Sequence, residues 1–372
     1  YNEYIIIPKS IIYQFQEYIV TKIGSCIINY GFSIKTVNFP KDSQLKIIDK
    51  KAFYNSTIQS ISIPSTVIKI SRKAFFNCKN LTKVEIPKNS ELTHIGSSAF
   101  YNSSISNIFI PKKVKSIEPA CFSGCENLQK VIFSEQSQLQ IIKSNAFAYS
   151  GIEKVLLPSN LSMLKKKCFY SCPNLQEVDL CENSKLNFIE EEVFSLSSIK
   201  NLTIPSSIIE LRHGWCSSTN DLNNIKILQN KKKRIKCIDN NVIIGRTNPK
   251  IDKYDCILFA PRNIEEVKIP SSIKRISSYA FQECKKLKKV SFMKNSKLEI
   301  IDDYSFCNCS FKEITIPSNV IAIEKRSFSM EKLQKVTFLK ESQLKSIGVK
   351  AFSNSSLAKI KIPSSVLFIG KK

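Results

Sequence analysis

The chain is poor in the residues from which enzyme sites are built. In 372 residues it has 2 His, 1 Trp, 3 Met and 9 Gly, and it lacks a glycine-rich phosphate loop, an H-E-x-x-H pair and a G-x-S-x-G elbow. Its 13 cysteines include no C-x-x-C pair, so the spacings that hold zinc or redox dithiols are missing. No run of about 18 apolar residues occurs, which removes a membrane-spanning helix from this segment. Acidic residues are scarce as well, with 31 Asp and Glu against 56 Lys and Arg for a formal charge of +25. The expectation is a non-catalytic chain with no cofactor and no metal.

What the chain does have is a period. Phenylalanines stand at Phe53, Phe75, Phe100, Phe122, Phe147, Phe169 and Phe194, then at Phe259, Phe281, Phe306, Phe328 and Phe352, at intervals alternating between 22 and 25 residues with one of 24. Each sits in a sentence close to I-x-x-I-x-x-x-A-F-x-x-C/S, followed by I/L-x-x-V-x-I-P, as from Ile70 through Ala74, Phe75, Cys78, Leu81 and Val84 to Pro87. Ile28 and Cys216 fill the phenylalanine slot in two degenerate units. The two unit types differ in loop length: Pro64 precedes Phe75 by 11 residues, whereas Pro87 precedes Phe100 by 13.

A fixed period of this size means stacked units, none of which buries its apolar face alone. The V-x-I-P step alternates apolar and polar residues and so reads as a short strand that proline stops. Strands of successive units are expected to pair in parallel, giving a mainly β solenoid of about 14 coils, a curved rod roughly 65 Å long at about 4.8 Å per rung. The phenylalanines should stack as a ladder across the coil. A compact globule of this length would split into two or three domains; a solenoid is one continuous core.

The A-F-x-x-C-x-x-L-x-x-V-x-I-P sentence resembles the BspA-like class of leucine-rich repeats, found in bacterial and protozoan surface antigens. The likeness covers about residues 15 to 370. It implies a right-handed solenoid with a parallel sheet, acting in adhesion or protein binding at a cell surface or after secretion. Residues 239–261, with Val242-Ile243-Ile244 and Ile257-Leu258-Phe259 on either side of Thr247-Asn248-Pro249, also resemble the hairpin insertion of such arrays and are expected to form a hairpin that protrudes from the solenoid. The expected organisation is a repeat block over 1–228 with an irregular first unit, an irregular segment with the hairpin over 229–258, and a second block over 259–372 cut mid-repeat. Tyr1 and Lys372 both read as cut ends, with caps, a signal peptide or an anchor expected outside them.

The basic charge admits a polyanion reading, but 49 of the 56 basic residues are Lys (56 less 7 Arg). Arg is the better bidentate reader of phosphates and bases, so specific nucleic-acid binding is not expected. Proteins, or sulfated and otherwise acidic glycans, fit better. The densest basic runs are Lys165-Lys166-Lys167, Lys285-Lys286 with Lys288-Lys289, and Lys231-Lys232-Lys233-Arg234; the last is the candidate polyanion contact. The competing class is an intracellular basic scaffold for acidic protein partners.

Cysteine chemistry dissolves into the repeat. Cys78, Cys125, Cys172, Cys284 and Cys309 stand three residues after a Phe, where other units carry Ser56, Ser103, Ser150, Ser197 and Ser355. This marks a small, weakly polar, buried slot. Cys78, Cys125 and Cys172 lie two rungs apart, near 10 Å and beyond the roughly 7 Å disulfide limit, which leaves the off-register Cys237 and Cys256 as candidates for a bond. His213-Gly214-Trp215-Cys216 looks like a Cys/His pair, but Trp215-Cys216 replaces Ala-Phe in register. The N-x-S/T sequons at Asn55, Asn102, Asn308 and Asn354 fall at recurrent turn positions, where Asn suits the backbone.

The candidate binding surface is the strand's outward residue between the Val and Ile slots. On three successive rungs it is Phe109, Ile132 and Leu156, flanked by Asn107, Lys130 and Lys154. An apolar stripe bordered by amide and ammonium groups is the expected form of a protein or glycan contact.

Overall fold

A computed structural model describes residues 3–26, 34–181, 183–228, 234–247 and 253–371. The chain forms two compact units, Tyr1–Ser198 and Ile199–Lys372, and each is a mainly β repeat solenoid. A coil comprises a strand of three or four residues, such as Lys83–Glu85, a two-residue strand, such as His94–Ile95, and the phenylalanine turn. Both strand types pair in parallel with the next coil, for example Ser60↔Lys83 and Lys69↔His94. In strand Lys154–Leu157 Val155 and Leu157 are buried while Lys154 and Leu156 face out, as the period of two requires.

In the first unit the phenylalanines form one continuous column. Phe53, Phe75, Phe100, Phe122, Phe147, Phe169 and Phe194 stack with ring centroids 5.0 to 5.8 Å apart. The sequence repeat places identical rings near the rung spacing of about 4.8 Å, so they stack with their planes within 16° of parallel. Their turns are held by inter-coil bonds such as Phe53 N to Ala74 O and Phe75 N to Ala99 O, each 2.7 Å. Two residues per turn have positive φ, two before and two after the Phe, as at Lys73 (58°) and Asn77 (58°). Asn tolerates this left-handed conformation better than most residues. Here it also builds a ladder, with Asn77 Nδ2 donating to Asn55 Oδ1 at 2.8 Å and Asn102 Nδ2 to Asn77 Oδ1 at 2.7 Å. The Asn55 and Asn102 sequons are part of this turn architecture.

The Ser/Cys slot is equally regular. The Cys78, Cys125 and Cys172 thiols donate to Phe53 O, Phe100 O and Phe147 O at 2.9 to 3.1 Å. Ser56, Ser103 and Ser150 sit 3.3 to 3.4 Å from their sulfurs. A hydroxyl and a thiol both satisfy this site, which explains the interchange. Burial pushes the Cys78, Cys125 and Cys172 thiols up to about 11, so they stay protonated and inert. All 13 cysteines are free.

The second unit stacks Phe281, Phe306, Phe328 and Phe352 at 4.9 to 5.5 Å. Ahead of them the register departs from the sequence reading. Strands Lys236–Ile238, Val242–Gly245 and Cys256–Phe259 form an antiparallel meander, and the last pairs in parallel with Arg275–Ile276. The hairpin is therefore built into the solenoid, with all four residues of Val242–Gly245 buried. Cys237 and Cys256 lie on strands either side of Val242–Gly245, about 10 Å apart at the usual spacing and too far to bond.

Ile257 pairs with Ile276, which precedes Phe281 by five, whereas the inter-coil turn bond that Phe75 N makes to Ala99 O is made here by Ala260 N to Ala280 O, so the turn after Cys256–Phe259 is shorter than in a regular coil. Phe259 packs on Trp215, with centroids 5.5 Å apart and planes tilted by 55°; Cys216 itself holds the phenylalanine slot of the degenerate unit, between the positive-φ residues Gly214 (65°) and Ser218 (54°). Arg262 is buried, its guanidinium 4.5 Å from the Phe259 ring. It donates to the carbonyls of Thr219, Cys216, Ala260 and Ala280 at 3.3 to 3.4 Å. Four carbonyl dipoles thus offset the desolvation of one cation.

Candidate binding surface

The longer strands do not zip evenly. From the strand of a short unit to that of its successor the register runs the full strand: Asn107↔Lys130 to Ile110↔Phe133, Lys154↔Glu177 to Leu157↔Leu180, and Glu313↔Lys335 to Ile316↔Phe338. At two junctions from a long unit to the next short one the ladder opens: Lys130–Phe133 meets Lys154–Leu157 at the single pair Lys130↔Lys154, and Lys289–Phe292 and Glu313–Ile316 lie in separate sheets. Elsewhere such a junction stays paired, as at Thr36↔Ser60 and Val37↔Ile61. Each unit has a groove at an opened junction.

The first unit's groove, of about 740 Å³, is lined by Asn107, Lys130, Ile132, Lys154 and Leu156. Five of the six stripe residues expected from sequence therefore converge on one cavity. Ile132 is 41% exposed and Leu156 54%, so their apolar surface is available. Phe109 pairs with Ile132 across the zipped rung, is only half-buried, and lies outside the groove lining. Lys154 Nζ lies 2.8 Å from Glu177 Oε1, and this hydrogen bond raises the lysine's pKa. Both partners are largely exposed, so the pair orients the border more than it stabilises the fold.

Sequence reasoning missed the groove's end wall, made by Phe133, Pro158 and Cys181. Its signal was present: Ser134, Cys181, Met293 and Leu339 stand where other units place the strand-ending proline.

The second unit's groove is larger, about 1230 Å³, and its lining includes Lys289, Ser291, Met293, Thr315, Lys335 and Leu339. Of the basic runs read from sequence, Lys288-Lys289 reaches this groove. Lys165 and Lys167 are neutralised by Glu190 and Glu192 at 2.8 and 3.3 Å. Arg234 is half-buried; Lys231, Lys232 and Lys233 lie outside the described residues, as does Ile28. At the apparent Cys/His pair, His213 is exposed while Cys216 is buried, and burial drives its thiol pKa far up, the reverse of an activated nucleophile. Among the described residues no group of three or more His, Cys, Asp or Glu could hold a metal ion, and no helix is long and apolar enough to cross a membrane.

The BspA type leucine rich repeat region matches residues 46–176, 130–243 and 253–372, with six copies. The chain belongs to this family. Among solved structures, this BspA-type repeat chain is similar to a leucine-rich repeat protein from Bacteroides ovatus, at 22% identity and a TM-score of 0.65, covering 99% of this chain and 82% of that one. It is similar to the pneumococcal vaccine antigen PcpA at 19% identity and 0.55, covering 99% and 83%. A leucine-rich cell surface protein from Faecalibacterium prausnitzii gives 20% and 0.51, covering 95% and 91%. These likenesses establish the fold. No curated protein matches the sequence.

Proposed function

We propose that this BspA-type chain is a non-catalytic interaction module of a cell-surface or secreted adhesion-type antigen, and that its first unit binds a partner protein through the groove around Ile132 and Leu156. The carrying observation is the exposure of these two apolar side chains in an open groove bordered by Asn107, Lys130 and Lys154. Apolar side chains at the centre with polar ones at the rim favour a protein side chain as the occupant. Surface display is supported by two of the similar structures, a vaccine antigen and a cell surface protein.

The test is selection of binders from displayed extracellular protein domains, followed by retesting against Ile132→Ser with Leu156→Ser. Loss of binding on the order of tenfold or more, as expected when central contacts are truncated, supports the reading. Binders that ignore the double substitution overturn it. Antibody labelling of the full-length protein on intact cells tests location, and labelling only after permeabilisation would transfer the module to the intracellular scaffold class.

A further inference from the structure

We propose that the groove of the second unit is a separate docking site for an acidic peptide segment of a partner protein, extended and carrying carboxylate and apolar side chains in alternation. The inference is independent of the first unit's groove. Its lining holds Lys288, Lys289, Lys294, Lys297 and Lys335 against the single carboxylate of Glu313. Lys288 is held by Glu265 at 3.1 Å; the other four have no ion-pair partner among the described residues. Four uncompensated ammonium groups around one concavity give a positive field that selects an anionic ligand.

The opened ladder adds backbone donors. Lys335 N donates to Lys312 O at 3.1 Å, and in a parallel register the alternate amides of the inner strand, Glu313 and Thr315, then face Lys289–Phe292. No hydrogen bond joins those two strands. Two amides therefore point into a groove floored by the hydroxyls of Ser291, Thr315 and Thr337. Main-chain N–H groups and lysines together are the usual receivers of a carboxylate.

The opposite border decides between ligand classes. Met293 and Leu339 are 41% and 48% exposed and close the side of the groove away from Lys289 and Lys335. A sulfated polysaccharide supplies anions but no apolar side chains for this border. A nucleic acid would find no Arg among the lining residues. An extended peptide running from rung to rung sends alternate side chains to opposite sides, so carboxylates meet Lys289 and Lys335 while the other side offers apolar contact at Met293 and Leu339, next to Lys294 and Lys297.

The experiment is fluorescence anisotropy of the whole chain with a fluorescein-labelled peptide of alternating Glu and Leu, an all-Glu peptide of equal length, and a heparin-derived oligosaccharide. The Glu-Leu peptide is expected to bind most tightly and to weaken as salt shortens the Debye length from about 10 to about 3 Å. Lys289→Ser with Lys335→Ser should reduce its affinity on the order of tenfold, the sum of two screened charge contacts. Met293→Ser with Leu339→Ser should lower it to the level of the all-Glu peptide. These are outward positions, and unchanged thermal melts verify that the variants fold. Absence of Glu-Leu binding, indifference to the lysine substitutions, or tighter oligosaccharide binding unaffected by Met293→Ser with Leu339→Ser each overturns the proposal. Ile132→Ser with Leu156→Ser should leave the peptide affinity unchanged, which separates failure here from failure of the first unit's reading.

Discussion

The two grooves occupy the same address in the repeat and differ in chemistry. Each lies where a long unit hands over to a short one, across Lys130–Phe133 and Lys154–Leu157 in the first unit and across Lys289–Phe292 and Glu313–Ile316 in the second. At the two outward positions the first carries Ile132 and Leu156, the second Ser291 and Thr315. Where the first places Ser134 and Cys181 at the strand ends, the second places Met293 and Leu339. The apolar surface thus sits on the floor of one groove and on the border of the other, and the lysines that Glu135 and Glu153 accompany in the first stand nearly alone in the second. Both grooves fall at junctions of a long unit with a short one, and residues that face away from the core decide what each holds. A repeat protein can therefore change ligand chemistry without changing its scaffold.

The largest effect should come from breaking the shared scaffold. Phe147→Ala in the first unit and Phe306→Ala in the second each remove a fully buried ring from a column and should each cost about 3–5 kcal/mol, read as a shift of the urea midpoint. A cost under about 1 kcal/mol at either site would mean that the columns do not carry the two units alike. The next effect sharpens the chemical contrast: Ser291→Ile with Thr315→Leu gives the second groove the floor of the first. It should tighten binding of the uncharged Ser-Leu counterpart and so narrow, without abolishing, the preference for the Glu-Leu peptide that the unchanged lysines maintain, while moving stability by no more than about 0.5 kcal/mol per site.

Thiol access separates the grooves again. Cys181 is half-buried at the wall of the first groove, Cys237 is half-buried, and Cys26 is exposed. These three should be alkylated in the native chain while the buried thiols react only on unfolding, as read by mass spectrometry of trapped peptides. A ligand in the first groove should protect Cys181 and leave Cys26 unaffected.

The smallest effect concerns Glu324 in the second unit, whose carboxyl is held above its ordinary pKa by burial, with Asp303 and Asp302 adding repulsion. A folded-state pKa above the unfolded value stabilises the fold at low pH, and that contribution is lost as pH rises through the folded value. Glu324→Gln should therefore raise the melting temperature slightly at neutral pH and leave it unchanged in acid. An equal shift at both would remove the electrostatic cause.

Much of this was legible in the sequence because the repeat repeats its own evidence. The phenylalanine column, the Ser/Cys slot and the turn asparagines each appear many times, so burial and backbone demands show up as coincidence of position. Ile132 and Leu156 were found by the same counting. What escaped lay where the pattern is broken once. Arg262 is buried beside the shortened turn that follows the hairpin, and nothing in a single sequence marks a cation for that place. The grooves escaped too, although the alternation of 22 and 25 residues was plain: periodicity gives the rung spacing but not which pairs of rungs hydrogen-bond. Phe109, the third apolar residue of the expected stripe, shares a zipped pair with Ile132 and lies outside the groove lining.

The most direct measurement is amide hydrogen exchange of the free chain, resolved to single residues across the second groove. The unzipped junction predicts fast exchange at Glu313 and Thr315, whose amides face the opened side, and slow exchange at Lys335, which is bonded to Lys312. Equal protection at all three would show that the ladder is closed there, and the grooves and their two chemistries would lose their structural basis.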